Sequence, residues 1–440
     1  MKKAEGPILK LLNSFYKYAI AALFIFIPLY PKFPLFNVPF TYVAIRAEDF
    51  FIAFTCGLLI LKLVAERKIR LPSISPQIGI FLLVGLISSL SAIFITKNVQ
   101  PLLVLLHYFR RIEYVLVFFL VYFAARKEKN RLFFLELMLL PAIGVFAYGV
   151  AQIYFGAPVI STMDSEASKG IALTLRPGVT LSSTFAGHYD LAVYLSMIMI
   201  LLTSLAANLK SWIKRTPFIL SFAVLLWLFM QTGSRISLFG LFASILLVCF
   251  IYRRLLLGAL MFGLIAIGVI SSPAILTRFI NIIDVFVYDT KQLIISPAYA
   301  VTPSPLPTRP PGEIRPIQED RSTSIRFDVE WPRALRSLTK NPFFGTGYSS
   351  LTLATDNDYL RALGETGLLG FLAFISILIG LFKSLKHRLK TKGIDKILAV
   401  SAFSVLIFFL ITAMFLDVFE SSKIAILFWG FMGLAISPKV

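Results

Sequence analysis

Charge is scarce in this 440-residue chain: Asp, Glu, Lys and Arg together make up 15% of it. Soluble domains carry about 25%, and disordered chains combine low hydrophobicity with high net charge. Cysteine is scarcer still, with Cys56 and Cys249 far apart and each inside an apolar run. Two such residues exclude a disulfide-rich secreted module and have no zinc-like spacing, so both read as packed thiols. No internal repeat of about 20 to 50 residues is visible, nor the duplication into halves that many secondary transporters carry. What fills the chain is hydrocarbon: 58% of residues are hydrophobic and the mean hydropathy is +0.82, against about 45–50% apolar in soluble domains. An all-α polytopic membrane protein is expected.

A membrane-crossing helix needs about 20 apolar residues. Runs of that kind fall near 12–30, 48–65, 77–96, 103–125, 132–155, 187–208, 216–232, 235–252, 255–272, 359–382, 396–417 and 421–437, twelve in all. Lys2 and Lys3 precede the first run, but no small-x-small cleavage site follows it, so that segment is read as retained. Lys and Arg concentrate in alternate connections: Arg67, Lys68 and Arg70; Arg126, Lys127, Lys129 and Arg131; Lys210, Lys214 and Arg215; Arg253 and Arg254; Lys383 to Lys392. The positive-inside rule makes these loops cytoplasmic. A multi-pass protein of the cytoplasmic (inner) membrane follows, with both termini inside. The same bias explains most of the net charge of +20, from 43 basic and 23 acidic residues, without a nucleic-acid partner. The chain then divides into nine spans over 1–272, an extracytoplasmic loop over 273–358 and three spans over 359–440.

Within that loop, prolines from Pro297 to Pro316 forbid helix and favour an extended tip. Ile325 to Leu338 then carries Val329, Ala334, Leu335 and Leu338 at helical spacing, broken by Pro332, which predicts a short amphipathic helix at the outer surface. Seven of the nine basic residues in the loop are arginine. A guanidinium grips phosphate with two parallel hydrogen bonds, whereas an ammonium is a point charge, so this face suits a diphosphate. The plainer alternative is that these arginines pair with the loop's nine carboxylates.

Several segments bear on that choice. Gln231-Thr-Gly-Ser-Arg235 is a polar turn between two spans, and Arg326-Phe-Asp-Val-Glu-Trp331 leads to Arg336 and then to Asn341-Pro-Phe-Phe-Gly-Thr-Gly-Tyr348. Asp356-Asn-Asp-Tyr-Leu360 runs into Arg361-Ala-Leu-Gly-Glu365-Thr-Gly-Leu-Leu-Gly370. Their order, spacing and common placement resemble the O-antigen ligase and polysaccharide polymerase family: an Arg and Trp helix, a Pro-x-x-Gly-x-Gly turn, and His-Asn-x-Tyr-Leu leading into a Glu-x-Gly-x-x-Gly span. The ten residues between Arg336 and Gly347 are similar to an arginine-to-glycine motif of the polymerases.

The resemblance implies an enzyme that moves a glycan from an undecaprenyl diphosphate carrier to a hydroxyl on a glycan, lipid or protein acceptor, without cofactor or divalent metal. Arg235, Arg326, Arg336 and Arg176 would bind the diphosphate. The family's histidine is replaced here by Asp356, which makes Asp356 the first candidate base, Asp358 the second and His188 the reserve. Asn357, Tyr359 and Glu365 would support the glycan or the site itself.

Each position also has a structural reading. Asp356 and Asn357 precede an apolar helix as N-caps do. Glu365 lies one turn beyond Arg361, as in an intrahelical ion pair, and Gly364, Gly367 and Gly370 form a small-residue packing face. Tyr359 and His188 have the interfacial placement common for such residues. Repeat-unit polymerisation is the nearest alternative to ligation. A transporter or flippase of lipid-linked sugars would instead need ionisable residues at mid-span depth, and here they gather near the outer ends.

Overall fold

The structure is a computed structural model that describes residues 7–31, 33–41, 43–66, 69–159, 180–272, 326–351 and 355–438. Arg176, the proline-rich tip and the first two thirds of the long loop lie outside the described residues.

Helix α1 (Pro7–Leu29) is followed by a two-stranded hairpin, β1 (Pro34–Asn37) and β2 (Ala44–Arg46), and β2 passes directly into α2 (Ala47–Glu66). The strands are antiparallel, with Phe36 opposite Ile45 and Asn37 opposite Ala44, and an irregularity between Pro34 and Phe36. This hairpin departs from the all-helical expectation. Pro31, Pro34 and Pro39 forbid helix there, and the turn is closed by Val38 N–H donating to Val43 O at 2.9 Å.

Next come α3 (Ser75–Ser91), ending in a π-turn over Ala92–Thr96, then α4 (Pro101–Ala124), α5 (Glu128–Leu139) and α6 (Pro141–Tyr154). Pro141 breaks what composition alone makes one span of 27 residues from Glu128 to Tyr154. Helices α7 (His188–Asn208), α8 (Trp212–Met230), α9 (Arg235–Tyr252) and α10 (Leu255–Ile270) complete the first block. After the undescribed stretch, a π-turn (Arg326–Glu330) opens α11 (Trp331–Lys340), followed by α12 (Asp358–Arg388), α13 (Ile394–Thr412) and α14 (Ser422–Ile436).

Among the described residues, eight helical segments are long and apolar enough to cross a membrane, and Leu255–Ile270 and Ser422–Ile436 are shorter apolar helices. This is an all-α polytopic membrane architecture. Helices α2 and α4 have spanning length but carry Glu48, Asp49 and Lys62, and Arg110, Arg111 and Glu113. Inside lipid such charges must find partners. Arg110 donates to Ala44 O at 3.0 Å and Lys62 to Phe123 O at 3.4 Å.

Helix α7 is the axle of the bundle, with 89% of its apolar window buried, and α8, α9 and α13 pack around it. Lipid is as apolar as leucine, so helices associate by close packing rather than by escape from water. Gly433 shows this: a Cβ there would run into Phe118 O, so α14 lies against the α4 backbone only because it has none.

Charged ties close the bundle at both ends. At one end Arg131 binds Asp395 at 2.5 Å and Arg388 donates to Ser437 O at 2.7 Å. At the other, buried Lys423 donates to Thr184 O at 2.8 Å, joining the start of α14 to the segment that leads into His188.

Candidate functional site

The site is assembled around a break in α12. Gly367 adopts φ +67°, ψ −170°, which interrupts the helix two residues beyond Glu365. A broken helix leaves carbonyl and amide groups unpaired, and the Pro342–Gly347 turn supplies their partners. Thr346 N–H donates to Gly364 O at 3.1 Å and Gly347 N–H to Glu365 O at 2.8 Å, while Leu368 N–H donates to Pro342 O at 2.8 Å. Gly345 and Gly347 are both at positive φ, where a side chain is strained. The glycine-rich turn and the glycines of α12 are therefore one backbone interface. Gly367 is a hinge in the helix rather than a member of a flat packing face.

That interface seats α11. Its buried face is Ala334 and Ser337, with Ala334 O 3.1 Å from where a Cβ on Gly364 would stand. Leu335 and Val329, expected on the apolar face, are exposed. Pro332 occupies the first turn of α11 rather than its middle, and the five residues before the helix form a π-turn, so the face rotates. Arg336 consequently points away from the packed side and is exposed.

The π-turn presents Arg326, which is buried. Its Nε and Nη2 both donate to Asp356 Oδ2, at 3.1 and 2.8 Å. A hydrogen bond also ties it to the phenol of Tyr189, in the first turn of α7. Burial works against the guanidinium charge, but Asp356 and Tyr189 outweigh it and raise Arg326 above its ordinary value. Asp356 itself adopts φ +46°, a left-handed conformation that Asp and Asn tolerate better than other side chains. Beside Tyr189, His188 opens α7 with its ring centroid 4.0 Å from the Tyr189 ring. The Arg326 and Asp356 segments meet here, and Tyr189 brings in the turn that His188 opens.

Glu330, at the far end of the same π-turn, is half-buried. Burial first, then Asp356 and Asp417, raise its carboxyl from 4.5 to about 7, against the opposing pull of Arg326 and Arg361.

Asp417, in the connection before α14, organises the entry to α12. It accepts from Thr355 N–H and Asn357 N–H, both at 3.1 Å, and from Arg361 Nη2 at 2.9 Å. Asn357 is the N-cap, accepting from Leu360 N–H at 3.0 Å; Asp356 is not. Tyr359 donates its hydroxyl to Leu410 O at 2.9 Å.

Below this entry lies a cavity of about 50 Å3 lined by Arg111, Arg361, Asp358, Glu365, Glu420 and Tyr348, with Phe81, Phe374, Phe419 and Trp429 among its other walls. Arg111 binds Glu420, and its guanidinium lies 5.4 Å from the Tyr348 ring. Arg361 is 3.7 Å from Glu365, the intrahelical pair foreseen from spacing, but its nearer partner is Asp417. Asp358 is 4% exposed and accepts from Phe419 N–H at 3.1 Å. Glu365 accepts from Ser349 N–H at 3.1 Å. Burial raises the Tyr348 phenol, so it stays protonated.

A family model described as O-antigen ligase matches residues 219–375, from α8 to the middle of α12. Those residues are similar to the O-antigen ligase family. The match supports placement in the O-antigen ligase/polymerase family, whose members are membrane enzymes of polysaccharide biosynthesis. Within the matched O-antigen ligase segment lie Arg235, Arg326, Glu330, Arg336, Asp356 and Arg361, whereas Arg111, His188, Tyr189, Asp417 and Glu420 lie outside it. No curated protein matches the chain.

Arg235 is the first residue of α9, half-buried, behind the Gln231–Ser234 turn. Sequence reasoning missed Asp417, Glu420, Tyr189 and the distinct standing of Glu330. The first two had one visible signal, acidic residues in an otherwise apolar stretch of the last spans.

Proposed function

We propose that the protein transfers a glycan from undecaprenyl diphosphate to an acceptor hydroxyl at the extracytoplasmic face of the cytoplasmic membrane. The observation that carries this reading is the meeting of Arg326 and Asp356, both inside the matched segment, with the first turn of α7. The reading takes twelve spans, counting the eight apolar helical segments, the charge-bearing α2 and α4, and the two shorter apolar helices. Both termini are then cytoplasmic, with spans over 1–272 and 359–440 and the 273–358 loop outside.

In the reaction, the acceptor oxygen forms a bond to the anomeric carbon as the bond from that carbon to the phosphate oxygen breaks. The electron pair leaves on the diphosphate, and the hydroxyl proton passes to a base. Guanidiniums held in place before the reaction stabilise the departing charge without reorganising. Arg326 is the best supported of these; Arg235 and Arg336 are assigned to the diphosphate by their resemblance to the family pattern and Arg176 by its place in the sequence. No divalent ion or cofactor is needed for this step. Asp356, Asp358 and His188 are the bases suggested by family position and placement, with Asn357, Tyr359 and Glu365 holding the surrounding backbone.

The test is reconstitution in lipid vesicles with a polyprenyl diphosphate-linked oligosaccharide, with and without chelator. Donor consumption with a glycan appearing on the acceptor supports the reading, and an unconsumed donor overturns it. A ladder of repeat units would favour polymerisation over ligation. Donor that crosses the bilayer unchanged would favour a flippase.

A further inference from the structure

We infer that Glu330, rather than Asp356, accepts the proton of the attacking hydroxyl. This rests on the transfer reaction proposed above and assigns its base.

Asp356 is compromised as a base by its own partner. Two N–H groups of Arg326 converge on Asp356 Oδ2, and a carboxylate held that way is stabilised as the anion. Asp358 is buried and committed to the Phe419 amide. Glu330 stands differently. It shares the five-residue π-turn with Arg326 and lies at its other end, a kind of helical irregularity frequent at functional sites. Its Oε2 is buried and has no hydrogen-bond partner among the described residues. A buried carboxylate oxygen without a donor is costly, and an alcohol O–H is the kind of donor that would relieve it.

The neighbouring residue leaves the complementary group. Trp331 Nε1, a donor, is likewise buried without a hydrogen-bond partner among the described residues, its indole wedged between Phe327 and Phe415 with centroids at 4.5 and 6.0 Å. An alcohol gives one hydrogen bond and takes another, and the last residue of the turn with the first of α11 offers one group of each kind.

Four charged groups act on Glu330: Arg326 on its own turn, Asp356 in the connection before α12, Arg361 on α12 and Asp417 before α14. The two carboxylates hold back its ionisation and the two guanidiniums favour it. Together with burial they leave it titrating near neutrality, where a base is ionised and still basic. When the hydroxyl attacks, its proton passes to Glu330 Oε2. The electron pair of the broken bond leaves on the diphosphate beside Arg326, and Glu330 then returns the proton to water.

The experiment compares wild type with E330Q, E330D, E330A and D356N, in vesicles, with a polyprenyl diphosphate-linked oligosaccharide as donor, across pH values on either side of neutrality. Wild-type kcat should rise with pH through about 7. E330Q should lose about 100-fold in kcat at constant donor KM and lose that rise, while E330D keeps the rise at a lower rate. Added formate or acetate should partly restore E330A, which a structural role would not allow, and D356N should keep the pH rise, moved to lower pH because Asp356 no longer holds back the ionisation of Glu330. Wild-type kcat with the same rise in E330Q, or a rise abolished by D356N, would overturn the assignment. In either case donor turnover by wild type leaves the transfer reading standing. An inert wild-type chain would instead overturn the transfer reading and the Glu330 assignment together.

Discussion

Gly345 and Gly367 meet backbone to backbone, so that a Cβ on Gly345 would lie 2.5 Å from Gly367 N and a Cβ on Gly367 would lie 2.5 Å from Gly345 N. Each is also left-handed, at φ +69° and +67°. Left-handed backbone alone costs an L side chain about 1–3 kcal/mol, and here the overlap adds to it. G345A and G367A should therefore lower Tm in detergent well beyond G393A, since Gly393 has φ +62° but open space around its Cβ position. Equal shifts in the three variants would show that the turn and α12 do not touch in this way.

Arg326 and Asp356 are joined through the two-donor geometry of a guanidinium, which lysine lacks. R326K keeps the charge but loses the paired bonds, and loss of one such preorganised donor costs about 100-fold or more in kcat. Folded yield should be preserved, and transfer should be measured by donor consumption. Wild-type turnover in R326K would remove Arg326 from the diphosphate site.

Much of this arrangement was legible in the chain. Span positions follow from apolar runs, and the Arg326 and Asp356 segments stand out by residue type. What pattern could not show was rotation. Pro332 starts a helix rather than breaking one, which turns Arg336 outward and brings Glu330 into the half-buried layer. Nor could local reading pair Arg361 with Asp417, because Glu365 is nearer in sequence. The decisive partner comes from the far side of α13.

Asp417 ties three donors, the Thr355 and Asn357 amides and Arg361, and so holds the short connection that carries Asp356. D417N retains one acceptor but loses the charge. Hydrogen bonds to charged groups contribute about 1.5–3 kcal/mol, so a drop in Tm is expected, with kcat falling as Asp356 and Arg326 shift. R361K, which disturbs only one of the three bonds, should have the smaller effect on Tm. The reverse order would mean that Asp417 serves Arg361 rather than the connection.

Glu330 also links stability to pH. Its carboxyl is raised from 4.5 to about 7 in the folded protein, so between those values the folded state holds a proton that the unfolded chain has released. The contribution of Glu330 is therefore fully present below 4.5 and is lost as pH rises through about 7. E330Q mimics the protonated side chain and cannot lose it. Relative to wild type, the Tm of E330Q should rise with pH across that window and level off above it, an effect kept modest by the partial exposure of the group. Parallel Tm curves for the two proteins would show that Glu330 ionises alike in the folded and unfolded chains, and its suitability as a base near neutrality would then lose its physical cause.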